Sequence, residues 1–273
     1  MGGETVLINN IYTFSSTNRI NKFKDTKEKV TEKVATGRRI NRAADDASGL
    51  TISESFKAQV RGLSQAERNI QDGMSLLQVV DGALGDITDN LHRIRELCVH
   101  SSNGTLVDED REALNEELKQ IKEAIQTTVE NTEFNQIKVL KYDRSLTIQT
   151  KDNPYTSMEI KLYDLKLENL ELKDADASTQ ENSQNTILKS QNAVDKINKI
   201  RAENGAYYNN LKHTLMNTSN SNLNINSSLS VITDANTAIS LMDIVKTDVL
   251  INYSQFMYSN VKGNLEAIKN LIG

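Results

Sequence analysis

The stretch ISESFKAQVRGLSQAERNIQDGMSLLQVVDGALGDITDNLHRIRELC, residues 52–98, decides the fold. Its apolar residues are Ile52, Phe56, Val60, Leu63, Ala66, Ile70, Met74, Leu77, Val80, Leu84, Ile87, Leu91, Ile94 and Cys98. Thirteen steps cover 46 residues, a mean of about 3.5, which is the coiled-coil period rather than that of a free helix. The spacing predicts one helix from about Ala43 to His100, on the order of 87 Å long. An ordinary globular domain has no use for such a helix, but a rod does.

Downstream, Asn103-Gly104 marks a turn, and Asp108 or its neighbours open a second helix. Its seam, Leu114, Leu118, Ile121, Ile125 and Val129, packs antiparallel onto the first. After Phe134-Asn135 the period changes: Leu146 and Ile148 alternate with polar residues, as do Met158, Ile160 and Leu162. The lone Pro154 sits between these runs, which read as a hairpin of modest strands at about 137–172. Residues 173–186 (KDADASTQENSQNT) have almost no apolar content and read as a surface connection. Helical spacing returns with Val194, Ile197, Tyr208, Leu211 and Leu215, then Ile225, Leu229, Ile232 and Ile239. Asparagine and serine crowd residues 217–228, and propensity alone favours a loop there. The seam residues Asn222, Ile225 and Leu229 keep register across it, so we read a weak continuous helix.

Both ends are amphipathic. Ile20, Phe23, Lys27, Val30 and Val34 share one face; Leu250, Met257, Val261, Leu265, Ile268 and Ile272 share another at the far end. Neither can bury its stripe alone, so the ends are expected to pair with each other and with neighbouring copies, and to be mobile until they do. The fold class is therefore mainly α: an elongated antiparallel coiled-coil rod (43–235) with a small β-hairpin, plus a discontinuous domain of paired terminal helices (1–42 and 236–273).

Composition agrees. One proline and 12 glycines in 273 residues leave few places to turn, and 37% hydrophobic with 5% aromatic residues suits narrow seams better than a thick core. A net charge of −5 with mixed signs argues against nucleic acid, and Arg38, Arg39 and Arg42 are too few to track phosphates. One cysteine, Cys98, excludes an internal disulfide framework. No apolar run nears the roughly 20 residues that span a bilayer. The first residues lack a secretory leader, so export is expected by another route and without a cleaved signal peptide.

The block GRRINRAADDASGLTISESFKAQVRGLSQAERNIQDGMSLLQVVDGAL (37–84) resembles the amino-terminal block of bacterial flagellins, as do LHRIRELCVHSSNGT (91–105) and NTEFNQIKVL (131–140). KIRAENGAYYNNLKHT (199–214) resembles their carboxy-terminal block. The resemblance implies a structural subunit of the flagellar filament, without enzymatic activity or cofactors, secreted through the flagellar type III apparatus. Its partners would be further copies of itself, an export chaperone, the cap and hook-associated proteins, and a host toll-like receptor. Terminal helices would line the filament's inner tube, and the outer domains would be missing. Departures from the family pattern are Val34-Ala35-Thr36-Gly37 for Leu-Ser-Ser-Gly, Gln136 for the glycine after Asn135, and a tail without its alanine-rich stretch. A minor flagellin or hook–filament junction protein is the alternative; a secreted coiled-coil binding module is the reading from another class.

The same resemblance implies that Arg93, Leu97 and Glu117 bind the receptor, on a surface also used between subunits. Arg93, Glu96, Leu97, Leu250, Met257, Val261, Leu265 and Ile268 are the expected subunit-interface residues. Set against that, Leu97 also fits an ordinary seam position. His92, Glu96, Cys98 and His100 do not make a metal site, because only His92 and Glu96 share a helix face and two ligands do not close a zinc site. Asp45 and Asp46 are read as structural caps or spoke contacts rather than an acid–base pair.

Overall fold

The computed structural model describes residues 2–272, with side chains described for residues 14–263. Five helices, α1 (Gly2–Thr36), α2 (Ala47–Ser101), α3 (Asp108–Asn131), α4 (Gln180–Thr233) and α5 (Thr237–Ile272), carry most of the chain. Four short strands, β1 (Glu133–Phe134), β2 (Ile137–Lys138), β3 (Arg144–Gln149) and β4 (Ser157–Leu162), lie between α3 and α4. The contacts divide the chain into two compact units, Gln59–Leu223 and the combination of Met1–Ala58 with Asn224–Gly273.

In the unit 59–223 the expected seam is buried: Leu63, Ala66, Ile70, Leu77, Val80, Leu84, Ile87, Leu91, Ile94 and Cys98 are all under 5% exposed. Ile52, placed on the same seam by its spacing, is 47% exposed. Leu118, Ile125 and Val129 of α3, Ile160 and Leu162 of β4, and Val194, Ile197 and Leu211 of α4 close the core over α2. Bridging side chains fix the direction of α4 against α2. Ser183 reaches Ser101 (3.0 Å), Arg95 reaches Gln191 (2.7 Å), Arg201 reaches Asp81 (3.0 Å), Gln78 reaches Tyr208 (3.4 Å) and Asn222 reaches Ser64 (3.1 Å). Residue numbers fall on one helix as they rise on the other, so the pair is antiparallel along its length. The asparagine-rich segment 217–228 is helical, held by this register against its weak propensity.

The α2–α3 turn is built around a buried arginine. Arg111, 7% exposed, donates to the carbonyls of Ser101, Asn103 (2.9 Å) and Leu106 (3.4 Å). These include carbonyls at the C-terminal end of α2 that have no partner within the helix. Residues 173–186 differ from the expected surface connection. Ala175, Ala177, Ser183 and Thr186 are buried, and α4 already begins at Gln180. Small side chains let this segment pack closely, and its polar atoms find partners: Ala177 donates its backbone N–H to Asn115 Oδ1 (3.0 Å), and Ser101 donates to the Ala177 carbonyl (2.7 Å). Cys98 beneath it is fully buried, and burial with Asp176 nearby pushes its thiol up to about 12.

β3 and β4 form the expected antiparallel hairpin, registered from Arg144↔Leu162 to Gln149↔Ser157. It lies close on α2, where a Cβ at Gly73 would stand 3.3 Å from Ile148 and one at Gly62 would stand 2.8 Å from Asp152 Cβ. A second hairpin, β1–β2, pairs Phe134 with Ile137 across the two-residue turn Asn135-Gln136, both at positive φ (48° and 63°). That is the turn type that matches strand twist and ordinarily takes glycine.

In the other unit α1 and α5 pair antiparallel, with Lys27 bound to Asp248 at 2.6 Å. The pair closes where residues 37–39 meet residues 232–235: Arg39 N–H donates to the Thr233 carbonyl (2.7 Å), its guanidinium to the Ile232 carbonyl (2.8 Å), and Ala235 N–H to the Gly37 carbonyl (2.9 Å). Gly37 ends α1 at φ +67°, the left-handed conformation that glycine takes without strain. Asp45 and Asp46 serve as caps. Asp46 accepts from Gly49 N–H (2.8 Å) at the start of α2, and Asp45 from the N–H groups of Asn41 (3.1 Å) and Arg42 (3.0 Å). Backbone hydrogen bonds, from Arg42 to Asp45 and from Gly49 to Asp46, hold both carboxyls below the usual aspartate value.

Candidate assembly surfaces

Helix α5 has two apolar faces. Thr247, Ile251 and Ser254 are buried, with Ile244, Tyr258 and Val261 half-buried at the same helical spacing. Leu250 and Val261 of the expected stripe are half-buried, but Met257 is 44% exposed, and the side chains of Leu265 and Ile268 lie outside the described residues. The buried seam runs through hydroxyl residues that an apolar count passes over. Thr247 can be buried because its Oγ1 donates to the Asp243 carbonyl of its own helix at 2.6 Å.

On the opposite face stand Met242, Val245, Val249, Tyr253 and Phe256, each 60–64% exposed. Their steps of three and four residues keep them on one side of the helix, about 180° from the buried seam at 100° per residue. A helix that is apolar on both sides is one that is buried on both sides in its working state. Fully burying such side chains is worth about 1.5–3 kcal/mol each. At 60% exposure, five of them hold roughly 5–9 kcal/mol of unrealised burial. Among the residues of α1 whose side chains are described nothing is comparable; Phe14 is the one exposed large hydrophobic side chain there.

A polar surface lies on the unit 59–223. Arg93 donates to Glu117 across the α2–α3 pair (2.6 Å) and to Glu96 on its own helix (3.2 Å). Hydrogen bonds to Glu117 and then Glu96 hold its guanidinium above the ordinary arginine value. The structure thus brings Arg93, Glu96 and Glu117 together on one accessible face. Leu97 does not join them. It is 3% exposed and belongs to the core, so the expectation of an exposed apolar anchor is corrected. One residue separates it from Glu96, about 100° of helix rotation, which is enough to carry it under the surface. His92, Glu96 and His100 line an open groove, while Cys98 points into the core; no group of three His, Cys, Asp or Glu among the described residues could hold a metal ion. Of the three arginines near residue 40, Arg39 is engaged with the Ile232 carbonyl and Arg42 with Glu32 (3.1 Å).

Comparison with known proteins gives one consistent result. The family described as the bacterial flagellin N-terminal helical region matches residues 8–143. A flagellin of Halalkalibacterium halodurans is 36% identical over 249 residues, which are 90% of this chain and 91% of that one. A flagellin of Bacillus subtilis is 30% identical over 298 residues, covering 96% of this chain and 98% of that one. The crystal structure of Bacillus cereus flagellin superposes with a TM-score of 0.51 at 32% identity, over 55% of this chain and 88% of that one.

Proposed function

The chain belongs to the bacterial flagellin family and is a structural subunit of the flagellar filament, and from that premise we propose that it polymerises through its terminal helices, with the outward stripe of α5 as the principal contact. The observation that carries this reading is the second apolar face of α5, Met242 to Phe256, which has no cover within the described chain. In the polymer the paired helices α1 and α5 form the inner tube and the stripe packs on a neighbouring copy. Both helices gain protection from hydrogen exchange as that contact forms. The subunit's work is mechanical rather than catalytic, and it leaves the cell through the flagellar type III apparatus with a dedicated chaperone, to be added beneath a cap. Replacing Val245 and Val249 by aspartate puts two charges in the stripe without touching the α1–α5 seam. Negative-stain microscopy then shows filaments from the parent chain and none from the variant; filaments from both would refute the proposal.

A second surface has its own observation behind it. The exposed Arg93–Glu96–Glu117 cluster is a contact surface for subunits along the filament and, on free monomer, for a host toll-like receptor. Leu97 supports that surface from below. Arg93→Ala monomer, checked for unchanged melting, loses receptor signalling under this reading and keeps it otherwise.

A further inference from the structure

Glycine within a long helix is costly relative to alanine, because it gives up more backbone freedom and packs nothing. Gly62 and Gly73 on α2 are explained by the β3–β4 hairpin lying close upon them. Gly82, Gly85 and Gly205 are not: a Cβ on any of the three would meet no atom within 4 Å. Gly82 and Gly205 are the exposed pair among them. They face a cleft of about 430 Å³ between α2 and α4, walled also by Gln78, Asn204, Tyr208 and Asn209. Asn204 is 4% exposed, and its Nδ2 is one of two buried side-chain atoms among the described residues that lack a hydrogen-bond partner. A buried unpaired donor is destabilising. The cleft therefore has room for a side chain, and Asn204, one of its lining residues, carries a buried amide in want of an acceptor.

The same unit presents a side chain of matching chemistry. Tyr155, at the tip of the β3–β4 hairpin, is 99% exposed with φ +69°. No other large hydrophobic side chain among the described residues is as exposed. A tyrosine offers a flat ring that can lie against bare backbone and a hydroxyl that accepts a hydrogen bond. It cannot reach the cleft of its own chain. The tip stands beside Gly62, where Asp152 makes its close approach, and Gly82 lies twenty residues further along α2, about 30 Å at the helical rise.

We propose that the Gly82–Gly205 cleft is a socket for Tyr155 of a second copy of this chain, set parallel and displaced about 30 Å along α2. The ring lies over the two glycines, and the Asn204 carboxamide turns to donate to the tyrosine hydroxyl. This rests on the filament reading, since only a polymer of like copies repeats the tip and the socket at one constant offset.

A double-mutant cycle on the critical concentration for assembly tests it. Tyr155→Ala removes the ring and Gly82→Leu fills the socket, and the space around each residue predicts that neither lowers monomer stability, Gly82→Leu raising it slightly through helix propensity. Each single variant raises the critical concentration about tenfold, and the double variant raises it no further than the single ones do. Singles without effect, or a double whose loss is the product of the two, overturn the contact. If Gly82→Leu disturbs the monomer, p-benzoylphenylalanine at position 155 in otherwise unaltered chain replaces it. Crosslinks from that residue to the 77–82 or 204–209 segments of another copy support the socket; crosslinks elsewhere on a copy, or to another protein, overturn it. Unaltered chain that fails to polymerise under the same conditions overturns the filament reading itself and this inference with it.

Discussion

Replacing Gln136 by glycine stabilises the protein. Asn135 and Gln136 occupy the two central positions of the β1–β2 turn at φ 48° and 63°. Asparagine tolerates that region because its short side chain can bond locally, whereas glutamine has no such compensation. The left-handed conformation costs an ordinary L-residue about 1–2 kcal/mol. Glycine removes that cost but loses about 0.5–1 kcal/mol through its freer unfolded chain. The exposed Gln136 side chain has no hydrogen bond among the described residues, so little else is lost. The net expectation is a gain of about 0.5–1 kcal/mol, or roughly 2 °C in melting temperature at this size. Asn135→Gly, by the same reasoning, changes stability little. Gln136→Val, which puts a β-branched residue at φ 63°, costs about 1–2 kcal/mol. Urea titration by circular dichroism, with the slope checked for constancy, measures all three. A destabilised Gln136→Gly, or a neutral Gln136→Val, would show that turn strain is not what this position contributes.

Three further outcomes follow from the packing. Arg111→Met leaves the carbonyls of Ser101, Asn103 and Leu106 without their donor and lowers urea stability by about 3 kcal/mol; a loss below about 1 kcal/mol would mean that water replaces the guanidinium. Gly62→Ala pushes against Asp152 and costs about 1–2 kcal/mol, while Gly82→Ala meets open space and gains about 1 kcal/mol, so the two changes move the urea midpoint in opposite directions. The carboxyls of Asp45 and Asp46 are depressed in the folded chain, so their contribution is present above the unfolded value near 3.8 and is lost as pH falls through the lower folded values. Melting of the parent chain between pH 5 and pH 2 therefore falls more steeply than that of Asp46→Asn, and parallel curves would refute the cap.

Much of this architecture is written in apolar spacing. The seam from Leu63 to Cys98, the α3 seam, the alternation of the β3–β4 hairpin and the continuity of α4 through its asparagines can all be read from which side chains recur and how often. What spacing misses is burial by polar and small residues. Arg111, Asn115, Ser101, Ser183 and Thr186 are buried because each has a hydrogen-bond partner, and that pairing joins residues far apart in sequence. The α5 seam escapes apolar spacing in the same way, since Thr247 and Ser254 hold buried positions between its larger apolar residues. The β1–β2 turn was hidden because Gln136 stands where a glycine would have signalled it. Of the candidate surface, Arg93, Glu96 and Glu117 lie together through the two ion pairs of Arg93, whereas Leu97 lies in the core, a difference that one helix's spacing does not reveal.

Assembly through the terminal helices requires that something cover the outward face of α5. A cryo-electron microscopy reconstruction of the assembled filament measures that directly. The expected result is that Met242, Val245, Val249, Tyr253 and Phe256 are buried against a terminal helix of a neighbouring copy. A filament in which these five side chains face solvent, with contacts made elsewhere, would contradict it.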